Sequence, residues 1–284
     1  MKLVTFVGPD ALVQPGVIQN GHVVGLARMG LATMEAVIVG GDAVRGPISS
    51  FVNSNEPSAP MLETVRLLAP LPRPSKIICI GLNYRDHAIE SNMAIPEVPT
   101  VFCKFASSVI ATGEKVVLPK NSAKPDYEAE FALVIGKGGR YIPPEKWQEH
   151  VFGYLNLNDV SARDYQLATS QWIIGKTFDT FCPMGPFIAT RNEIADPHNL
   201  EIKMTINGEV LQHSNTKHLI FDIPTLIAHL SSVMTLEVGD IISTGTPAGV
   251  GLGRTPPRWL KPGDEMVVEV EGLGQLRNPC VAEA

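Results

Sequence analysis

Glu128 and Glu130 sit one residue apart, just before and within an apolar run that continues Phe131-Ala132-Leu133-Val134-Ile135. In an extended segment successive side chains alternate faces, so the two acids share one face while Phe131 and Leu133 take the other. Further on, Asn156-Leu157-Asn158-Asp159 ends a second short apolar run, and Asp159 can serve as a third acid at the same spot. Three carboxylates on neighbouring strands repel one another unless protons or a cation intervene. An all-oxygen set suits Mg2+, Mn2+ or Ca2+ and argues against zinc, which prefers His and Cys. Taken alone, Glu-x-Glu on a strand is more often a solvated outer face, so the metal reading gains its weight from the groups around it.

Those groups are several. In Asn83-Tyr84-Arg85-Asp86-His87-Ala88-Ile89-Glu90, a helical reading makes His87 and Glu90 neighbours at i and i+3, where a carboxylate can hold and charge an imidazole able to deprotonate water. The competing reading is a satisfied histidine beside an exposed helical glutamate. Pro96 and Pro99 close this segment, which could form a flap over a site. Asp159 to Gln166 offers an acid, the Arg163 guanidinium and the Gln166 amide within one or two turns. Lys176, between Ile174 and Phe178 in nearby sequence, reads either as a partly desolvated ammonium aimed at an anion or as a surface lysine. Gly175-Lys176-Thr177 is not the end of a phosphate-binding loop, since Ser170 stands where that loop needs glycine. The glycine-rich stretch Thr244 to Gly251 is followed by Pro256-Pro257, which disfavours a dinucleotide-binding turn; its amides and Thr246 could instead meet a small carboxylate.

The elements that must position these groups are mostly β. Val17 to Val24 reads as a hairpin about Asn20-Gly21, and Leu200 to Gln212 as another about Asn207-Gly208. Met61 to Leu68 reads as a short helix-like segment, and Phe221 to Met234 as the one long amphipathic helix, capped by Asp222. Pro70, Pro72 and Pro74 suggest a boundary, giving a small N-terminal β domain over 1–70, structural or oligomer-forming, and a catalytic domain over 71–284. The expected class is α+β, mostly β.

A chain of 284 residues can bury a sizeable core. With Lys+Arg 23 against Asp+Glu 29, it lacks the basic excess that holds a phosphate backbone, so nucleic acid is not an expected partner. No run approaches a membrane span, and the N-terminal apolar run is too short for a signal-peptide core, so the expectation is a cytoplasmic protein. Cys79, Cys103, Cys182 and Cys280 form no Cys-x-x-Cys pair and read as reduced structural thiols.

Taken together, Ile80-Gly81-Leu82-Asn83-Tyr84 with His87 and Glu90, Glu128-Ala129-Glu130, Asp159 to Asp164, Gly175 to Asp179 and Thr244 to Gly251 resemble the fumarylacetoacetate hydrolase family, in order and with its spacing, from about Ser75 onward. The resemblance is to its short two-domain branch. It implies a mixed β roll with few helices, a homodimer, and Mg2+ or Mn2+ held by Glu128, Glu130 and Asp159. It further implies that His87 and Glu90 activate water on a closing lid and that Lys176, Arg163, Gln166 and Thr246 hold the substrate. Some members carry an acid where Asn83 stands, so no further ligand is expected there. The implied activity is hydrolysis of a C–C bond in 2,4-dioxo acids, such as acylpyruvates or sugar-derived diketo acids. In that chemistry a divalent ion stabilises the departing pyruvate enolate, while Lys176 neutralises oxyanion charge. Oxaloacetate decarboxylation or tautomerisation on the same residues is the alternative. A binding protein with a structural ion is the non-enzymatic one, and it would have no use for a His-x-x-Glu base.

Overall fold

The structure, a computed structural model, describes residues 1–9, 11–90 and 94–284. Two large β-sheets and a two-stranded pair, Pro125–Asp126 with Ser161–Ala162, organise it, with few helices, as an α+β and mostly β chain should be. Across the eleven-stranded sheet the order is His22–Gly25, Val13–Gln19, Lys2–Val7, Cys182–Thr190, Val151–Asn158, Ala129–Ile135, Ile241–Ser243, Ile77–Gly81 and Thr100–Lys104. Arg66–Leu68 and Val109–Ile110 attach beside this path. The five-stranded sheet runs Glu209–Asn215, Glu201–Ile206, Glu265–Val270, Gln275–Ala282 and Val116–Leu118.

The strand Ala129–Ile135 is buried at every position, which explains the unbroken apolar run from Phe131 to Ile135 that follows Glu130. Its Phe131 and Leu133 enter a core shared with Ile202, Met204, Val268 and Val270 of the smaller sheet. Ala132 and Val134, on the opposite face, join Leu155, Ile188 and the Val37, Ile38 and Ile48 side chains of the helix Met34–Asn55. Glu128 and Glu130 therefore belong to a face that is covered, and charge there must be neutralised locally.

Both expected hairpins form. Asn20 and Gly21 have φ of 49° and 80°, and Asn207 and Gly208 have 53° and 84°, the paired positive angles that a two-residue turn needs. The helix expected over 221–234 is Ile223–Val233, and the Asp222 carboxylate accepts from the Thr225 amide at 3.0 Å. It is not the one long helix, however, because Met34–Asn55 is longer. That helix is disguised in the sequence by Gly40, Gly41, Gly46 and Pro47, all poor helix formers, and it bends at Gly41, where φ is 50° and ψ is −135°. Burial of Val37, Ile38, Ile48 and Val52 outweighs those local preferences. The expected helical segment at 61–68 is instead a short turn, Leu62–Thr64, and the strand Arg66–Leu68, since an apolar run this short has no readable period.

The N-terminal strands share the larger sheet with the rest of the chain. Lys2 faces Ala189 and Leu3 faces Ile188 in an antiparallel pair, so the sheet continues across the proline-rich segment where a boundary was expected. Among the described residues no helix is long and apolar enough to cross a membrane.

Candidate active site

Strand register brings the three acids together. Ala129 faces Asn158 and Glu130 faces Leu157, and one step beyond, the Asp159 amide donates to the Glu128 carbonyl at 2.9 Å. Asp159 is thus the cross-strand neighbour of Glu128, with Glu130 two residues along on the same side of the pleat. One oxygen from each of the three lies within 4.8 Å of the others, and all three side chains are buried.

Three buried cations surround them. Lys176 Nζ donates to Glu128 Oε2 at 2.6 Å and to Asp159 Oδ2 at 2.7 Å. Lys104 Nζ donates to Asp159 Oδ1 at 2.5 Å and to the Val160 carbonyl at 3.0 Å. Arg163 donates through Nε to Asp126 Oδ2 at 2.8 Å and through Nη1 to Gln166 Oε1 at 2.8 Å. Its Nη2 lies 2.6 Å from Glu128 Oε1, an ion contact without the alignment of a hydrogen bond. Lys176 is therefore a buried, doubly paired ammonium and not a surface lysine. Its position depends on Gly175, where a Cβ would lie 2.3 Å from the Gln166 amide nitrogen; only glycine lets the turn Ile173–Lys176 come so close.

These contacts set the electrostatics. Burial alone would raise the Glu128 carboxyl, but Arg163 and Lys176 outweigh it and bring it down to about 2. Glu130 goes the other way: burial, then the Asp159 and Glu128 charges, push it well above the usual carboxylate range. The Ser243 hydroxyl and the Gly245 amide, the latter at 3.1 Å, donate to Glu130 Oε2, but no cation pairs with this side chain among the described residues. Burial disfavours the Lys176 ammonium, yet Asp159 and Glu128 more than offset this and hold its pKa above the ordinary lysine value.

The donor set fits a hard divalent ion. It is oxygen-only and buried, and the mutual repulsion that raises Glu130 is what such an ion relieves. Replacing Glu130 by Ala is expected to weaken Mn2+ binding roughly 100-fold, the upper end of the effect of even indirect ligand partners. Thermal stability should be kept, because loss of one acid also removes repulsion. Calorimetry giving the parent affinity for the variant would refute the assignment.

His87 and Glu90 share one side of the turn Arg85–Glu90, with Nδ1 3.3 Å from Glu90 Oε2. The glycine-rich loop holds this pair: the Gly249 amide donates to Glu90 Oε1 and Oε2 at 3.0 and 3.1 Å. The expected flap, the segment from Asn83 closed by Pro96 and Pro99, takes in residues 91–93, which lie outside the described residues. The loop amides expected to meet a small carboxylate are occupied by the chain's own acids. Besides Gly249 with Glu90, the Gly251 and Leu252 amides donate to Asp126 Oδ1 and Oδ2 at 2.7 and 3.0 Å. The Thr246 hydroxyl donates to the Ala129 carbonyl at 2.9 Å and accepts from Gln212 Nε2 at 2.8 Å.

A cleft of about 460 Å3 is lined by His87, Glu90, Glu128, Glu130, Lys176, Arg163, Gln166 and Thr246, with Asp159 beneath it. Sequence reasoning missed Lys104, Asp126 and Arg254. Lys104 had a signal, being the one cation within Val101-Phe102-Cys103-Lys104-Phe105, an apolar strand context. Asp126 had none, since its partners Arg163, Gly251 and Leu252 are distant in sequence. Asn83 is buried as a cross-link: Nδ2 donates to the Phe221 and Thr244 carbonyls at 3.0 and 2.8 Å, and Oδ1 accepts from the Phe221 amide at 2.8 Å. All four cysteines are free thiols.

The family model described as fumarylacetoacetate (FAA) hydrolase C-terminal matches residues 76–281. Oxaloacetate tautomerase FAHD2A, mitochondrial, from Bos taurus is 45% identical over 251 residues, covering 88% of this chain and 80% of that protein. Two solved structures cover the chain completely and are themselves completely covered. Fumarylacetoacetate hydrolase from psychrophilic Exiguobacterium antarcticum superposes with a TM-score of 0.87 at 37% identity. Maleylpyruvate hydrolase from Sphingobium sp. SYK-6, in complex with manganese (II) ion and pyruvate, does so with 0.84 at 30%. The expectation of a cytoplasmic protein is overturned by relatives of the FAHD2A kind, whose names place them in mitochondria. It had rested on the lack of a secretory signal core and a membrane span, features that do not report on a mitochondrial destination. Family match, whole-chain superposition and the motif order agree: this chain belongs to the fumarylacetoacetate hydrolase family.

Proposed function

We propose that the chain is a divalent-metal-dependent enzyme that interconverts the keto and enol forms of oxaloacetate or a close 2-oxo acid. The observation that carries this reading is the His87–Glu90 pair lining the same cleft as an oxygen-only acidic cluster. The names of the relatives as oxaloacetate tautomerases shift the balance away from C–C hydrolysis, the main expectation from the sequence and its family resemblance. Keto–enol exchange moves one proton between C3 and the C2 oxygen and consumes no water. It therefore asks for a base and for stabilisation of the charge that passes through the oxygen.

Glu128, Glu130 and Asp159 would hold Mg2+ or Mn2+, and the ion when bound supplies Lewis-acid stabilisation at the oxo oxygen. Glu90 orients the imidazole through Nδ1, and His87 Nε2, which makes no hydrogen bond among the described residues, takes the C3 proton and returns it to oxygen. Lys176 is not the base. Its raised pKa keeps it protonated at neutral pH, so it acts as a fixed cation for developing negative charge. Arg163 keeps Glu128 ionised, and Gln166 is oriented by Arg163.

The test follows three products on one Mn2+-loaded preparation: loss of enol-oxaloacetate absorbance with deuterium uptake at C3, release of CO2, and acid release from an acylpyruvate. Accelerated exchange with a kcat/KM at least about tenfold above that for acylpyruvate cleavage supports the reading. The reverse order would make hydrolysis the main reaction and this reading wrong.

A further inference from the structure

Among the cations lining the cleft, Lys176 and Arg163 are each bonded to carboxylates, whereas Arg254 has no acidic partner within ion-pair distance among the described residues. Its contacts are all with neutral oxygens. Nη2 donates to the Leu211 carbonyl at 2.6 Å, and Nε donates to the Tyr127 hydroxyl at 3.2 Å and, more weakly, to the Gly249 carbonyl at 3.4 Å. Tyr127 in turn donates to Gly249 at 3.0 Å, so the guanidinium is held on a fixed frame while Nη1 makes no hydrogen bond among the described residues. Tyr127 also immediately precedes Glu128, which ties this frame to the acidic cluster.

A half-buried guanidinium braced by neutral acceptors keeps its full charge for something else. The cleft then has two poles: an acid cluster suited to an ion that binds the 2-oxo carboxylate end, and an uncompensated, planar, bidentate cation on the wall formed by the glycine-rich loop. We infer that Arg254 binds the second carboxylate of the substrate and selects dicarboxylic over monocarboxylic 2-oxo acids. This rests on the 2-oxo acid reading above, and it assigns Arg254 a role in specificity and none in proton transfer.

The experiment is calorimetric and needs no turnover. The Mn2+-loaded parent protein and the Arg254→Gln and Arg254→Lys variants are titrated with 3,3-difluoro-oxaloacetate, which has no C3 proton to lose, and with pyruvate. Glutamine can still donate to Leu211, and lysine keeps the charge. The preference for the dicarboxylate over pyruvate should fall about 10- to 100-fold in Arg254→Gln, the range for losing a charge-assisted hydrogen bond, and recover only in part in Arg254→Lys, which keeps the charge but loses the fork geometry. An unchanged preference would overturn the inference. So would a proportional loss of both ligands, which would make Arg254 a brace for the loop through Tyr127 and Leu211. Oxaloacetate turnover by the parent protein separates the two readings: a preference that depends on Arg254 without any keto–enol exchange would sustain this inference and sink the proposed reaction.

Discussion

Lys176→Met is expected to lower kcat/KM for keto–enol exchange by about 10²-fold or more and to destabilise the protein without added metal. The ammonium bridges Glu128 Oε2 and Asp159 Oδ2 in a site that is almost fully shielded from water, with Lys176 2% exposed. Methionine fills similar volume but leaves two buried carboxylate oxygens without their donor. Removing one partner of a buried ion pair costs about 3–5 kcal/mol. Lys104 still holds Asp159 Oδ1, and Arg163 still contacts Glu128 Oε1, so the fold should survive at room temperature. A divalent ion adds positive charge at the same acids, and Mn2+ should therefore recover more stability in the variant than in the parent. Urea melts with and without Mn2+, alongside steady-state kinetics, check both halves. An unchanged kcat/KM would mean that the ammonium serves only to hold the cluster together.

How much of this site could be read from the sequence follows from how local each signal is. Glu128 and Glu130 are related by strand period, and His87 and Glu90 by helix period, so residue spacing alone paired them. The Asn-Gly turns and the Asp222 cap were legible for the same reason. Asp159 is different: its place opposite Glu128 is set by the register between Ala129–Ile135 and Val151–Asn158, which no spacing rule fixes, so the end of the apolar run at 156–159 offered it as a third acid and the family resemblance added weight. Lys104, Asp126 and Arg254 act mainly through tertiary neighbours, and for them the chain had nothing periodic to show. The helix Met34–Asn55 was hidden by the opposite conflict, local residues unfavourable to helix overridden by burial of one face. Even the reaction stayed open on the residues alone, because proton transfer and water activation ask for the same base.

His87→Ala separates those two uses of the base from a third reaction that needs none. Keto–enol exchange requires removal of a C3 proton, so loss of the imidazole should reduce it by about 10²- to 10⁴-fold, the usual worth of a positioned general base. Cleavage of an acylpyruvate, which needs a deprotonated water, should fall similarly. Decarboxylation of oxaloacetate needs electron withdrawal by the divalent ion and no base, so a measurable part of any such activity should remain. All three are measured on one preparation whose metal content has been confirmed. Glu90→Gln serves as the partner variant: its amide oxygen can still accept from the Gly249 amide, so the loop contact survives while the charge that supports His87 is lost. Its effect on exchange should be smaller than that of His87→Ala, because the ring remains and only its orientation and basicity suffer. Retained exchange in His87→Ala would remove the base from the mechanism. Equal loss of all three activities in both variants would mean that the pair works by fastening the turn Arg85–Glu90 to the glycine-rich loop, closing the cleft, and that the proton is carried by another group.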